Sequence, residues 1–283
     1  MKRMTVIWIV FSTLILANMT VAVSIPPVAS LVRAIGGDEV TTVTMVRPGD
    51  SPHTYEPKPS QMKALADASL YVAVGVEFEK VWLPKFRQLN PSMKVLRLDK
   101  RVTLLPMETH PHKEDAHDHK EGADPHIWTS PANMRRFAET IADAMCREDE
   151  AHCALYRRRS AELDANIDAL DARIRKLLAP LPPHTAFMSI HPSWGYFAHR
   201  YGLRQLVAEV EGKAPKPRQL AALIETARQA GVRTIVTQPE FSDKSARILA
   251  RQLHIPVLKL SPLDPAWQQT LLRLAEAIAK GRM

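Results

Sequence analysis

Hydrophobic positions change their period several times along this chain, and the changes outline alternating strands and helices. Thr20–Ser24 is a short β-prone run that Pro26 and Pro27 stop. Val28–Ile35 has helical spacing and ends at Gly36-Gly37, a helix stop. Val40–Val46 is β-branched and alternating, which predicts a strand. The loop RPGDSPHTYEPKP follows, and Ser60 is expected to cap a helix with Met62, Leu65 and Ala66 on one face. Leu70–Val74 and Val95–Leu98 are the next predicted strands. Such alternation argues for parallel α/β structure.

Residues 107–125 break the pattern: they are polar, rich in histidine and without apolar periodicity, so an exposed loop is expected. Order resumes at Asp124-Pro125-His126-Ile127-Trp128. Ser130-Pro131 then opens a helix, with Ser at the N-cap and Pro at its first position. From about His152 to Leu178 the chain reads as one helix, with Leu163, Ile167, Leu170, Ile174 and Leu177 forming a single apolar stripe. At ~1.5 Å per residue it is roughly 40 Å long, and Pro180, Pro182 and Pro183 end it. A helix of that length suits a connector between two lobes.

The strand–helix pattern then restarts. Strands are predicted at Ala186–Ile190, Leu206–Val210, Val232–Thr237 and Val257–Leu260, with helices between them and a last helix from Trp267 to Ile278. The expected fold class is therefore α/β, with two lobes, each a mostly parallel sheet flanked by helices. The expected boundaries are an N-terminal lobe over 19–150, a linking helix over 151–180 and a C-terminal lobe over 181–283.

Composition narrows the function classes. The 283 residues are 46% hydrophobic and 24% charged, near the globular average, which excludes a fibre, a disordered chain or a multi-span membrane protein. The formal charge of +8 is scattered, and its one run of three, Arg157 to Arg159, reads as a solvated helix face. No nucleic-acid partner is expected. Residues 1–18 have the layout of a secretory signal peptide: Lys2 and Arg3 precede the short apolar stretch Val6–Leu16, with cleavage near Ala17. No cysteine follows for lipid attachment, and the expected compartment is the periplasm. Cys146 and Cys153 are too few for a thiolate metal cluster; outside the cytoplasm they can form a disulfide, or they are a pair of buried thiols.

Three histidines share one kind of location. His53 lies in the loop after Val40–Val46, His126 sits just before a capped helix, and His191 directly follows Ala186–Ile190. Ligands of open parallel sheets bind beyond the carboxyl ends of strands. Imidazole suits zinc and other borderline metals. Each histidine alone is more often structural; the argument comes from the three together. Trp128, Trp194 and Tyr196 flank these positions and are read as core aromatics or cleft walls, without a ligand role.

The stretches GGDEVTTVTMVRPGDSPHTYEPKPSQMKAL, ADPHIWTSPANM, HPSWGYFAHRYGL with EGKAPKPRQL after it, and QPEFSDKSARILARQLHIPV carry a resemblance. In this order they resemble the zinc/manganese solute-binding proteins of metal ABC transporters, the cluster A-I family. The resemblance covers nearly the whole chain after the leader. It implies two α/β lobes joined by a rigid helix, with metal held between them by His53, His126 and His191. It also implies delivery of Zn²⁺ to a membrane ABC permease with its cytoplasmic ATPase. The receptor is expected to be a monomer and not an enzyme.

The chain departs from many members of the family at the fourth ligand. An Asp before Pro-Leu is common there, whereas this chain has Ser261-Pro262-Leu263, with Asp264 three residues late. Three options stay open: a water or open position, Asp264, or Glu240 of the QPEFS stretch. An open fourth place is also a catalytic zinc pattern, but no HExxH or similar helix motif supplies a general base for a zinc hydrolase. Manganese members exchange one His for Glu, so three nitrogens favour Zn²⁺ over a manganese or iron cargo. His110, His112, His117 and His119, interleaved with Glu114, Asp115 and Asp118, are expected to bind metal weakly, as the loops of zinc-type members do.

Overall fold

The computed structural model describes residues 18–47, 49–107, 122–209 and 213–281. Residues 1–17 of the expected signal peptide over 1–18, and the four loop histidines His110, His112, His117 and His119, lie outside the described residues.

The first lobe is a parallel sheet of β1 (Met19–Val23), β2 (Val40–Thr44), β3 (Leu70–Ala73) and β4 (Lys94–Arg97), in the order β2-β1-β3-β4. Central β1 pairs on both sides, with Val21 opposite Thr42 and Leu70. Helices α1 (Pro26–Gly36), α2 (Pro59–Ala66), α3 (Glu77–Leu89) and α4 (Pro131–Glu148) make the connections. Helix α2 starts earlier than the sequence suggested. Lys58 takes the N-cap position and Pro59 the first turn, where a missing N–H costs nothing. Gln61 then accepts the Lys58 N–H at 3.0 Å, so Ser60 does not cap. Helix α4 starts as expected, with Ser130 at the cap position and Pro131 next.

Helix α5 (Cys153–Leu178) is the long connector, 26 residues or about 39 Å at ~1.5 Å per residue. It packs against α1 and α4 of the first lobe and against the last helix of the second. Cys146 near the end of α4 and Cys153 at the start of α5 are joined by a disulfide.

The second lobe repeats the arrangement with β5 (Ala186–Ser189), β6 (Arg204–Val207), β7 (Ile235–Thr237) and β8 (Val257–Lys259), in the order β6-β5-β7-β8, all parallel. Helices α6 (Gly195–Tyr201), α7 (Pro217–Gln229), α8 (Lys244–Leu253) and α9 (Trp267–Lys280) complete it. Strand β6 begins two residues before the predicted run. Gly202, at φ 63°, closes α6 and turns the chain directly into the strand.

One apolar core runs without interruption from the first sheet through α5 to the second. It includes Val21, Ile141, Ile167, Phe187, Trp194 and Leu271. A smaller core of Met188, Leu223 and Leu249 fills the other side of the second lobe. In both sheets the chain order reverses direction beside the first strand of the lobe, so each has a crevice at its carboxyl edge. His53 and His191 follow strands at these edges.

Candidate metal centre

The three histidines come from three separate segments. His53 lies in the loop after β2, His126 precedes the short 3-10 turn Ile127–Thr129, and His191 lies just beyond β5. The structure brings them together: one ring nitrogen from each lies within 4.8 Å of the others. His53 Nε2 and His191 Nε2 are 3.3 Å apart. His126 and His191 are buried, and the His53 side chain is 32% exposed at the mouth. The surrounding cleft has Trp128, Phe241 and Leu263 among its walls. The Phe241 ring lies 4.8 Å from that of His191 and 6.4 Å from that of His53.

Each histidine has its other ring nitrogen on a carboxylate. His126 Nδ1 is 2.7 Å from Asp124 Oδ1, His191 Nδ1 is 2.8 Å from Glu209 Oε2, and His53 Nδ1 is 3.2 Å from Glu77 Oε2. An ionised carboxylate only accepts, so the Nδ1 of His126 and that of His191 each carry a proton and donate it; at His53 the Glu77 charge, at ion-pair distance from Nδ1, favours the same tautomer. In a neutral imidazole the Nε2 is then a lone pair. Three such lone pairs aimed at one point repel one another, and a cation placed among them removes the repulsion. Carboxylate–histidine pairs of this kind fix the tautomer and orientation of metal-binding rings.

The carboxylates are themselves held in place. Glu77 opens α3, just past Gly75. That glycine, at φ 93°, lets the chain turn so that the amides of Val74 and Gly75 donate to buried Glu79 at 2.8 and 2.9 Å. Asp124 is 2% exposed and abuts Gly195 of the second lobe. Tyr196 ties the lobes together: its hydroxyl accepts from Leu105 N–H and donates to the Asp124 carbonyl, both at 3.0 Å. Trp128 Nε1 donates across the cleft to the Pro262 carbonyl at 2.7 Å.

Electrostatics differ between the rings. The Glu77 hydrogen bond and charge raise the pKa of His53 against its desolvation. Burial lowers that of His191, despite Glu209. Burial pushes the Glu77 carboxyl up, but the bond and charge of His53 outweigh this and hold it at about 2.

Of the fourth-position candidates, Asp264 turns away: its carboxylate accepts the Ala266 N–H at 2.8 Å, and it does not line the cleft. Glu240 does line it, and accepts a hydrogen bond from Ser261. Glu77 and Glu209 were not singled out by the sequence. The only signal at Glu77 is an acidic residue just past a predicted strand; Glu209 falls inside the predicted run Leu206–Val210, and only the earlier end of β6 at Val207 frees it. Asp124 had a stronger signal, standing two residues before His126.

Two α/β lobes on one connecting helix, with a histidine triad between facing strand ends, define a two-lobed metal-binding receptor of the solute-binding class. The chain belongs to the ZnuA family, described as zinc-uptake complex component A, periplasmic, whose match spans residues 21–281. It is 30% identical over 227 residues to the high-affinity zinc uptake system protein ZnuA of Paracoccus denitrificans, covering 70% of this chain and 68% of that one. It is 25% identical over 231 residues to the iron-binding protein YfeA of Yersinia pestis, covering 80% and 71%. A crystal structure of ZnuA superposes with a TM-score of 0.85 at 37% identity, covering 94% of this chain and all of that one. A zinc-bound ZnuA deletion mutant gives 0.83 at 36% identity, covering 93% and 97%.

Proposed function

We propose that this protein is a periplasmic receptor that captures Zn²⁺ between its lobes through His53, His126 and His191 and hands it to a membrane ABC permease driven by a cytoplasmic ATPase. The convergence of three lone-pair nitrogens, each backed by a carboxylate, carries this reading. Zinc forms bonds of ~2.0–2.1 Å to imidazole, so a tetrahedral set has nitrogens about 3.3 Å apart. The His53–His191 separation of 3.3 Å already meets that value. Capture therefore requires that a gathered set of donors tighten, His126 included, not that a site be built. The neutral donor set also favours Zn²⁺ over Mn²⁺ on the ordinary affinity order.

The similarity to an iron-binding protein favours the second reading, iron or manganese on the same frame. Neither reading involves covalent chemistry, and the chain acts as a monomer in both. The organisation into a leader over 1–18, lobes over 19–150 and 181–283 and a link over 151–180 belongs to the same proposal. So does weak metal binding by the His-rich loop. No helix among the described residues is long and apolar enough to cross a membrane.

Metal analysis of protein purified without added metal, followed by competition between Zn²⁺ and Mn²⁺, tests the cargo. Replacing His53, His126 or His191 with Ala should each weaken zinc binding by orders of magnitude, read by chelator competition, with the fold retained. Unchanged tight affinity in any one variant removes that residue from the site.

A further inference from the structure

The triad leaves a cation with three neutral donors and one coordination position, and the cleft contains one carboxylate that the histidines do not use. Glu240 lies in the loop after β7, at the carboxyl edge of the second sheet. Its Oε1 accepts a hydrogen bond from the Ser261 hydroxyl. That hydroxyl oxygen also accepts the Leu263 N–H at 3.1 Å, which aims its proton at Glu240. The other oxygen, Oε2, is buried and has no hydrogen-bond partner among the described residues. Glu240 also forms no ion pair among them. A buried anionic oxygen without a partner is costly to maintain. Glu209 offsets that cost with the His191 proton, and Glu77 has His53 beside it at 3.2 Å; among the described residues Glu240 has neither a proton donor on Oε2 nor a cation beside it.

From this arrangement we infer that Glu240 is the fourth ligand: Oε2 binds the captured cation, while Oε1 stays on Ser261. The inference rests on the reading of His53, His126 and His191 as the primary site. It assigns complementary roles to two residues. Ser261, too poor a donor to bind zinc itself, becomes the outer partner that orients a ligating carboxylate. Glu240 supplies one negative charge to a nitrogen set that has none, and a carboxylate is an ordinary zinc ligand at ~2.0–2.2 Å. The 4.8 Å cluster contains only the three histidines. Oε2 must therefore approach as the ion binds, as His126 must, and the two movements close the site from opposite lobes.

The test is zinc affinity by chelator competition at fixed neutral pH. It compares the wild type with Glu240→Gln, Ser261→Ala, Asp264→Ala and His191→Ala, with thermal unfolding of each metal-free protein as the folding control. Glu240→Gln keeps shape and hydrogen bonding but loses the anion, and should bind Zn²⁺ about 100-fold more weakly. Ser261→Ala should lose about tenfold, and Asp264→Ala less than threefold. Glu240→Gln within threefold of wild type, with His191→Ala strongly impaired, overturns the fourth-ligand assignment and leaves the triad standing. Tight binding by His191→Ala overturns the triad itself. A crystal structure of zinc-loaded wild type answers without any variant. Glu240 Oε2 at bonding distance supports the inference, and a water in that place refutes it.

Discussion

One oxygen of Asp124 holds His126 twice. Oδ1 accepts the His126 backbone N–H at 2.9 Å and its Nδ1–H at 2.7 Å, so the ring is fixed to its own main chain through a carboxylate two residues away. This ties the ring's orientation to the backbone and makes Asp124 a strong determinant of metal affinity. Asp124→Asn should weaken zinc binding 10- to 100-fold, the usual cost of losing an outer partner, and Glu209→Gln should do the same through His191. Chelator competition measures both. Wild-type affinity in either variant would show that the ring holds its orientation without the anion.

Glu77 should behave differently as pH changes. It raises the pKa of His53, whereas burial lowers that of His191. Protons therefore compete with metal at His53 first, starting above the ordinary value near 6.5. Glu77→Gln should cost about tenfold in zinc affinity near pH 7.5 by loosening the ring. The deficit should narrow near pH 5.5, because the variant also releases its proton more easily. A deficit that widens on acidification contradicts this account. In the metal-free protein the sign reverses. The raised pKa stabilises the fold fully below about pH 6.5, and that contribution is lost as pH rises through the folded-state value.

Gly195 tests the seam between the lobes. A Cβ there would lie 2.7 Å from Asp124 Oδ2, and that carboxylate is buried. Gly195→Ala should therefore push Asp124 off His126 and lower zinc affinity about tenfold, with little change in thermal unfolding. A large loss of stability with intact affinity would mean the strain is absorbed by α6 instead.

The His-rich loop has a closed base. Met107 N–H donates to Gly122 O at 3.1 Å, Asp124 N–H donates to Leu105 O at 2.8 Å, and Pro106 bridges to Ala123. Replacing the chain between Met107 and Gly122 with a short glycine link should leave one tight zinc site and remove weaker ones. Zinc stoichiometry near neutral pH reads the outcome. Loss of the tight site would place a primary ligand in the loop.

The disulfide between Cys146 and Cys153 closes a short loop, so its stabilisation should be modest, about 2–3 kcal/mol from chain entropy. Reduction should lower the unfolding temperature by several degrees without changing zinc affinity. A changed affinity would mean that the α4–α5 junction communicates with the cleft.

Period and punctuation were enough to show the α/β alternation, the long connector and the placing of His53 and His191 beyond strand ends, with His126 before a capped helix. Residues that act through tertiary contact were less legible. Glu77 and Glu209 look like ordinary acidic residues until folding brings them to His53 and His191, each from a different segment. Helix α3 was not predicted: Pro84 stands in its interior and reads as a helix breaker, although Phe78, Trp82 and Phe86 keep helical spacing around it. Glu240 and Asp264 were indistinguishable along the chain; only the turn that ties Asp264 to Ala266 separates them.

The uninterrupted apolar core sets limits on how the cargo can leave. Prying the lobes apart would cut through a core that is continuous from one sheet through α5 to the other, at roughly 1.5–3 kcal/mol for each large apolar side chain it exposes. That is a steep toll for a carrier that must unload at every delivery. Laden and unladen carriers should therefore have almost the same silhouette and differ mainly in relief at the rim, around His53, Phe241 and Glu240. A docking partner that sorts one from the other has to do so by touch, at that rim, because the outline of the molecule carries almost no news.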